Sequence, residues 1–442
     1  MGFALQLSGY DMTKKLKGII SALTTWFSMR KQGRNFACRA DFEAWQAVKV
    51  QTWADNHARQ VPFYKNIPHG TPLADYPVIN KSDLMADFSS FNRHGITSQQ
   101  GWEAFDGDRA IGPYHLGAST GTSGNRGLFV ISDEERYLWL GAMLGKLLPD
   151  IWRRRERIAL ILPLHTRLYD ATNDTKWLKL GFFDLSAGLG NQLEDLCDLN
   201  PTIIVAPPRA LRWLAQNAAN RLNPQKIYSA AEVLDPVDAA LIEAHWPGRL
   251  GQIYMATEGI MATTCSQGTI HLAEDVMHFD LEPVGGGLVS PIISDFRRTS
   301  QIMCRYRMND LLRMSDRPCA CGSPFRSVDE IVGRQDDCFT FPSKACEQLV
   351  TPDILRNAIL DADRSITDFR LLQRENCDIE LTLNQDCSDA AVTSAEKSLI
   401  DQFSRLGISP NLKTYRATLG FSSSEKLRRV KSERHICHGS PS

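Results

Sequence analysis

The chain has 442 residues, of which 43% are hydrophobic and 23% charged, a composition typical of a globular protein with two or three domains. Its 50 lysines and arginines balance 51 aspartates and glutamates, which excludes an overall field that would recruit nucleic acid or an anionic membrane. The 11 cysteines, without a recognisable secretory signal, predict a reducing compartment and a cytoplasmic location.

The first 110 residues are predicted to be mostly helical. An apolar run over residues 18–27 is too short to span a bilayer, so we predict no integral membrane segment. Two interpretations of the run remain open: a helix packed on the domain body, or a short helix lying on a surface. The basic residues that flank the run are Lys14, Lys15, Lys17, Arg30 and Lys31.

A longer helix is predicted after this run, where large apolar residues recur near helical spacing. These residues are Phe42, Trp45, Val48 and Trp53. The proline in the sequence VPFYKN then breaks the pattern.

The middle of the chain alternates between strand and helix signals. The apolar runs RIALILP and TIIVAPP are typical of buried parallel strands. Helices are predicted over SDEERYLWLGAMLGKLLP, which begins with a capping serine or aspartate, and over RALRWLAQNAANRL. The segments KIYSAAEVL, PVDAALIEAHW and RLGQIYMATEG continue the alternation. The fold class is therefore predicted to be α/β, with helices covering parallel-type sheets.

The pattern changes again towards the C-terminus. Short strands separated by turns predict a β-rich subdomain at about 260–335. Beyond it, two helices and three strands predict a small α+β unit of about one hundred residues. We therefore predict a large N-terminal domain over residues 1–335, with a helical lead-in at 1–110, and a small C-terminal domain over residues 336–442 that acts as a mobile lid.

A glycine-punctuated loop, STGTSGNRG, precedes an apolar run. A loop with these glycines and hydroxyl residues can turn tightly and present backbone N–H groups to an anion. Segments of this composition are more often solvated turns, so both interpretations stay open. A P-loop NTPase is excluded as the simple explanation, because the Gly-Lys-Ser/Thr ending is missing. The residues concerned are Ser119, Thr120, Gly121, Thr122, Ser123 and Gly124.

Five fragments, weak individually, resemble one family by their order and spacing: STGTSGNRG, YMATEG, YRMND, GRQDD and EKLRRVK. The family is the adenylate-forming superfamily of acyl- and aryl-CoA ligases. The closest resemblance is to the phenylacetate–CoA ligase branch, which includes synthetases that adenylylate a deazaflavin coenzyme. The resemblance implies ATP-dependent activation of an aromatic or hydrophobic carboxylic acid as acyl-AMP, with release of pyrophosphate. The acyl group would then pass to the thiol of CoA or of an acyl carrier protein.

The resemblance also implies roles for individual residues around ATP. The glycine-rich loop would grip the β- and γ-phosphates, although Asn125 stands where the family usually has lysine, and Arg126 is the neighbouring source of charge. Glu258 would hold Mg²⁺ beside the phosphates, and Asp310 would accept hydrogen bonds from the ribose hydroxyls. Arg334 would reach the ribose or a phosphate. The remaining nucleotide contacts fall on Ala231 and Glu232, which wrap the adenine with Ala230, and on Tyr254 and Thr257.

Two further roles concern the predicted lid. Asp336 matches the hinge at which the small domain rotates between adenylation and thioester formation. Lys426 matches the catalytic lysine that bridges the acid and the α-phosphate, with Lys431 as the competing candidate.

A second constellation predicts a metal site. Cys265 and His271 have five residues between them, and Cys319 and Cys321 lie in the sequence CACG. Three thiolates and one imidazole suit tetrahedral Zn²⁺, and a site closed in this way is structural. The phenylacetate–CoA ligase branch carries similar elements; the alternative is four unconnected residues in turns. Cys304 is a reserve ligand.

Several points remain open from the residues alone. Adenylylation of a cofactor without thioester formation, and a non-catalytic nucleotide-binding homologue, are alternative functions. His165 lies either near the acyl pocket or in a structural position. A homodimer is possible, and the identity of the acid is not specified.

Overall fold

The computed structural model describes residues 16–30, 35–119, 126–151, 155–162, 178–342, 348–420 and 426–434. Its helices are α1 (16–30), α2 (Arg39–Asn56), α3 (Lys81–Ala86), α4 (Ser98–Asp106), α5 (Asp133–Leu147), α6 (Leu193–Leu199), α7 (Pro208–Ala218), α8 (Pro236–His245), α9 (Pro352–Leu360) and α10 (Asp389–Arg405).

The strands up to the middle of the chain are β1 (Ala110–Ile111), β2 (Tyr114–Ala118), β3 (Leu128–Ser132), β4 (Glu156–Leu162), β5 (Leu178–Asp184), β6 (Ile203–Ala206), β7 (Lys226–Ala230), β8 (Leu250–Ala256), β9 (Gly259–Thr264) and β10 (Ile270–Leu272). Those that follow are β11 (His278–Gly285), β12 (Leu288–Ser294), β13 (Tyr306–Arg307), β14 (Asp310–Met314), β15 (Ser327–Arg334), β16 (Phe339–Phe341), β17 (Gln348–Val350), β18 (Phe369–Gln373), β19 (Ile379–Asn384), β20 (Leu412–Ala417) and β21 (Val430–Ser432).

Twelve of the described strands form one large sheet, in the order β11-β12-β14-β15-β10-β9-β8-β7-β6-β4-β5, with β13 paired to β12. Strands β5, β4, β6, β7 and β8 run parallel, and the turn from β8 into β9 begins the antiparallel half. The prediction of an α/β fold is confirmed. The β-rich stretch at 260–335 does not form a sheet of its own, because its longer strands extend the parallel sheet.

Local sequence explains most of these elements. Every residue of β6 is buried, as expected for a strand covered on both faces. Helix α5 begins with a capping box, in which the Ser132 hydroxyl accepts from the Glu135 backbone N–H and the Glu135 carboxylate accepts from that of Ser132. In α2, Phe42 and Trp53 are buried as the spacing predicts, whereas Val48 is exposed to 66%, because it lies on the opposite face of the helix.

The C-terminal region has its own four-stranded sheet, in the order β20-β19-β18-β21, with α9 and α10 packed together nearby. A hydrophobic core drawn from residues 339–430 holds these elements together. The division of the chain after residue 335 stays a prediction. Among the described residues, no helix is both long and apolar enough to cross a membrane.

Candidate functional site

A cavity of about 790 Å³ lies at the carboxyl ends of β7 and β8, where loops of the large sheet meet the C-terminal segment around Lys426. Ligands of α/β proteins bind at this end of parallel strands. The predicted site residues that line the cavity are Ser119, Ala231, Glu232, Tyr254, Thr257, Glu258, Asp310, Arg334, Asp336 and Lys426. Residues that are up to 307 positions apart in sequence are therefore brought to one space.

Two acidic groups are set into this cavity by the β8–β9 hairpin and by β14. Thr257 and Glu258 form the hairpin turn, in which the Thr257 hydroxyl donates to the Glu258 carboxylate at 2.8 Å. Tyr254 precedes the turn and donates its hydroxyl to Asp310 at 2.6 Å. Burial raises the pKa of Asp310 and also that of Tyr254. Tyr306 hydrogen-bonds to Glu258, so both carboxylates are oriented by tyrosines.

Strand pairing places a cation opposite one of these acids. Asp310 begins β14 and stands directly opposite Arg334, which ends β15. The Coulombic attraction of Arg334 acts against the effect of burial on the pKa of Asp310. Asp336 follows closely and accepts a hydrogen bond from the Asn309 amide at 2.5 Å. Asp310, Arg334 and Asp336 thus form one rim of the cavity.

The turn after β7 forms the opposite wall. Ala231 has a φ of 67°, a left-handed conformation that is uncommon for a residue with a Cβ and that occurs at functional sites. In this conformation its carbonyl accepts a hydrogen bond from Lys426 Nζ at 3.1 Å. Glu232 is buried beside Arg209, 3.1 Å from its guanidinium. Burial raises the pKa of Glu232 to about 7, although Arg209 and Lys426 oppose the rise.

Lys426 is placed inside the cavity, and Lys431 is not. Burial lowers the pKa of Lys426, and the nearby Arg334 acts in the same direction. Lys431 lies on β21 and is exposed. The structure therefore separates the two lysines that the sequence left in competition.

The glycine-rich loop is described only at its two ends. The backbone groups of Ser119 and Gly127 pair, and the Gly127 N–H also donates to the Ser119 hydroxyl, at 2.8 Å in each case. The predicted phosphate-loop residues Thr120, Gly121, Thr122, Ser123 and Gly124, together with Asn125, lie outside the described residues.

A lysine that sequence reasoning missed reaches the base of this loop. Lys81, the first residue of α3, donates to the Ser119 hydroxyl at 3.1 Å and lines the cavity. A Cβ at Gly127 would stand 2.8 Å from Lys81 Cε, so glycine at that position leaves room for the lysine. Burial lowers the pKa of Lys81, while Glu258 raises it. The capping residues Asn80 and Asp83 predict the helix start, but the contact with Ser119 spans 38 residues and has no sequence signal.

Arg126, the neighbouring source of charge, lies on the outer side of the loop base. Its guanidinium lies over the rings of Trp102 and Phe105, at 5.0 and 5.2 Å from their centroids. Its side chain is exposed and is not among the residues that line the cavity. Its Nε also donates to the Ser119 carbonyl at 3.4 Å, so Arg126 lies at the base of the loop but outside the cavity lining, whereas Lys81 lines the cavity beside Ser119.

The second constellation also comes together. The ligand atoms of Cys265, His271, Cys319 and Cys321 all lie within 4.8 Å of one another. Cys265 Sγ is 3.7 Å from Cys319 Sγ, and Cys321 Sγ is 3.4 Å from His271 Nε2. Ligands about 2.3 Å from a tetrahedral zinc ion are separated by roughly 3.7 Å, so this spacing fits a zinc ion.

The groups that surround this cluster fit a metal site as well. His271 Nδ1 donates to the Phe325 carbonyl at 2.9 Å, which directs Nε2 towards the thiols. Burial opposes ionisation of Cys319, but hydrogen bonds from neighbours that include Thr269 and His271 lower its pKa to about 6. The reserve ligand Cys304 lies in the hydrophobic core, away from the cluster. His165 lies outside the described residues.

Comparison with known proteins identifies the fold. Protein-family models and curated protein sequences give no match. Among solved structures, 2-hydroxyisobutyryl-CoA ligase in the postadenylation state, in complex with 2-HIB-AMP, matches with a TM-score of 0.68 at 16% identity, over 91% of each chain. An open conformation with 2-HIB-AMP and CoA matches with a TM-score of 0.59 at 16% identity, over 90% of this chain and 93% of that one.

A third structure of the same ligase, with 2-HIB-AMP and CoA in the thioesterification state, matches with a TM-score of 0.52 at 16% identity, over 89% of this chain and 90% of that one. The similarity extends over both the large sheet and the C-terminal unit. The chain therefore has the fold of the adenylate-forming acyl-CoA ligases.

Proposed function

We propose that this protein activates a carboxylic acid with ATP and transfers the acyl group to the thiol of CoA. In the first step a carboxylate oxygen bonds to the α-phosphorus as the bond to pyrophosphate breaks, which gives acyl-AMP. In the second step the thiol, having lost its proton, attacks the acyl carbon, and AMP leaves. An aromatic or hydrophobic acid, and the phenylacetate–CoA ligase branch, are the finer assignments that we infer from the sequence.

One observation carries the proposal: Lys426 enters the cavity opposite the carboxylates of Glu258 and Asp310. Its hydrogen bond goes to a neutral carbonyl, that of Ala231, and the attraction of Glu232 and Asp310 does not offset the effect of burial on its pKa, so the site favours a further anionic group beside it. Positioned cations stabilise phosphoryl-transfer transition states without taking part in covalent chemistry. A lysine delivered by the C-terminal segment into a cavity of the large sheet is suited to that task.

The other cavity residues complete a nucleotide site. We assign the ribose hydroxyls to Asp310, the adenine to the turn at Ala231 and Glu232, and the phosphates to Lys81 and the loop that begins at Ser119. Glu258 is the residue that we assign to hold Mg²⁺, an oxygen-seeking ion that neutralises phosphate charge when bound.

The similarity to different states of one ligase supports an arrangement suited to the first half-reaction, the formation of acyl-AMP. The similarity to 2-hydroxyisobutyryl-CoA ligase is greater in the postadenylation state than in the thioesterification state. We propose that Asp336, which lies in a short 3₁₀ turn between β15 and β16, is the pivot between the two arrangements. Asp336→Pro fixes φ and should preserve one half-reaction while blocking the other; unchanged rates of both would contradict the assignment.

The proposal is tested by acid-dependent exchange of radiolabelled pyrophosphate into ATP, across a panel of aryl and fatty acids. Exchange that requires one class of acid is expected, followed by a thioester when CoA is added. Pantetheine-loaded carrier protein is the comparison acceptor. Exchange without thioester formation would point to an adenylylating enzyme, and the absence of exchange with every acid would overturn the proposal.

We also propose that Cys265, His271, Cys319 and Cys321 bind one structural zinc ion. The cluster joins the turns after β9 and before β15 in the antiparallel half of the sheet. The test is metal analysis of protein purified without added zinc, beside a Cys319→Ser/Cys321→Ser variant and a Cys197→Ser/Cys377→Ser control outside the cluster. About one zinc ion per chain is expected in the parent and the control, with loss in the cluster variant. Zinc retained in that variant, or missing from the fresh parent protein, would contradict the site.

A reducing compartment is consistent with this site, because zinc-binding thiolates must stay unoxidised. The nine described cysteines are all free of disulfides.

A further inference from the structure

We propose that helix α1 (16–30) lies flat on an anionic lipid surface and holds the protein at the membrane interface. The proposal concerns a part of the molecule remote in sequence from every residue assigned to the nucleotide cavity or to the metal cluster. It rests on how the helix packs and on where its charges are.

Helix α1 packs closely against helix α5 and buries one of its faces there. Its neighbour, α5, offers two glycines to it: a Cβ at Gly141 would stand 2.3 Å from the Ala22 carbonyl oxygen, and one at Gly145 would stand 2.7 Å from Met29 Cβ. The inner face of α1 thus brings Gly18, Thr25, Trp26 and Met29 into buried positions. Glycines in α5 allow this close approach, which fixes the rotation of α1 about its axis.

The outer face of α1 is apolar. Its side chains recur at intervals of three, one, three and four residues, which places them on one stripe of a helix. Among the large hydrophobic residues that are exposed in the described part of the chain, these five form the only stripe of this kind. They are Leu16, Ile19, Ile20, Leu23 and Phe27, with exposed fractions of 58%, 47%, 51%, 43% and 46%.

The sequence around this stripe is rich in basic residues. Residues 12–40 contain seven lysines and arginines and no acidic residue, although the whole chain carries a net charge of −1. Lys17 is exposed on the helix itself, whereas Arg30 pairs with Asp150 at the surface and Arg39 pairs with Glu274 and Glu43. A helix with an apolar stripe and basic flanks is the pattern of an interfacial helix, and anionic lipids attract such basic residues.

The same charge pattern argues against a second copy of the chain as the occupant. A twofold contact would place the stripe of one copy against the stripe of the other, and with it two stretches of sequence that contain basic residues and no acidic ones. An anionic lipid surface neutralises those charges and accepts the apolar side chains at once. Lipid is therefore the occupant that both observations favour.

The test is co-sedimentation of the full-length protein with vesicles of phosphatidylcholine alone, and of phosphatidylcholine with phosphatidylserine, at low and at high salt. Binding is expected to the anionic vesicles and to weaken with salt. Ile20→Glu and Lys17→Glu should each lower the partition coefficient about tenfold or more, because they remove apolar burial and reverse a charge.

Matched controls lie on the exposed side of α10. Ile400, like Ile20, is exposed to 51%, and Lys397 is exposed one helical turn from it. Ile400→Glu and Lys397→Glu should leave vesicle binding unchanged, and all four variants should keep the melting temperature of the parent protein.

Three results would overturn the proposal. The parent protein could fail to bind anionic vesicles. The α10 controls could lower binding as much as the α1 variants do. Without vesicles, Ile20→Glu alone could dissociate a dimer in light scattering or lower the melting temperature by several degrees, which would show that a second copy or the same chain covers the stripe.

Discussion

Two cations that are three residues apart in the C-terminal segment have opposite surroundings. Arg429 is buried and binds three carboxylates: its guanidinium contacts Asp235, reaches Asp238 at 2.7 and 3.0 Å, and reaches Asp368 at 2.8 Å. Lys426 enters the cavity, and the hydrogen bond recorded for it goes to a backbone carbonyl. Its pKa is lowered by burial, whereas ion pairing raises the pKa of Arg429 despite burial.

This difference distinguishes a structural charge from a functional one. Arg429 attaches the C-terminal segment to α8, and the surrounding carboxylates compensate its charge. Lys426 bears a desolvation cost that Glu232 and Asp310 compensate only in part, which is expected where a ligand supplies further negative charge. The fixed Arg429 cluster thus holds the segment in the position that delivers Lys426 to the cavity.

The largest expected effect on the free energy of unfolding is that of Arg429→Met. Removing one partner from a buried ion cluster leaves carboxylates without compensation and costs about 3 kcal/mol. This figure is at the low end for a broken buried ion cluster, because each of the three carboxylates keeps another arginine. Urea unfolding measures it. Arg416→Met, which breaks an exposed pair with Asp389, should cost less than about 1 kcal/mol, and equal losses would contradict the contrast.

Lys426→Met should have the opposite profile. Acid-dependent pyrophosphate exchange should fall about 10²–10³-fold, because charge on the α-phosphate develops in that step. Transfer from a supplied acyl adenylate should fall far less. The free energy of unfolding should be unchanged or increased, since a desolvated cation has been removed. Lys431→Met is the matched control, and a stronger defect in that variant would contradict the assignment.

Lys81→Met tests whether a cation from another part of the fold serves the glycine-rich loop. A hydrogen bond to a charged group contributes about 1.5–3 kcal/mol, so exchange should fall about tenfold to hundredfold. Arg126→Met should change exchange by less than about twofold, because that side chain stacks on Trp102 and Phe105 outside the cavity. The reverse ranking would return the role to Arg126.

The smallest effect concerns Glu232, a second incompletely compensated group in the cavity. Its pKa of about 7 in the folded protein lies above the ordinary glutamate value of 4.5, so its contribution to stability is full below pH 4.5 and is lost as the pH rises through 7. Relative to the parent, Glu232→Gln should gain up to about 2 kcal/mol of unfolding free energy between pH 5 and pH 8, without nucleotide. Glu396→Gln, on α10, should keep the parent's pH profile, and a flat difference for Glu232→Gln would contradict the prediction.

The sequence by itself determined the order and type of most elements. Apolar runs and caps are local signals, so the buried strand β6 and the capped helix α5 could be predicted from their own residues. The family resemblance also selected residues that the fold then gathered around one cavity, including Glu258, Asp310 and Lys426. The Cys/His set could be predicted in the same way, because three thiols and an imidazole in two short segments have a distinctive chemistry.

Only the tertiary structure decided how separate segments meet. The β-rich stretch joins the parallel sheet because β9 pairs with β8. This pairing depends on backbone hydrogen bonds at the edge of the sheet, and the alternation of apolar and polar residues does not predict it. Lys81 meets Ser119, and Arg126 turns to Trp102, through packing between elements that are distant along the chain. Likewise Lys426 differs from Arg429 because of the acids that other segments place beside each. Charge compensation in a folded protein depends on distance in space, and sequence patterns carry that information only for neighbours.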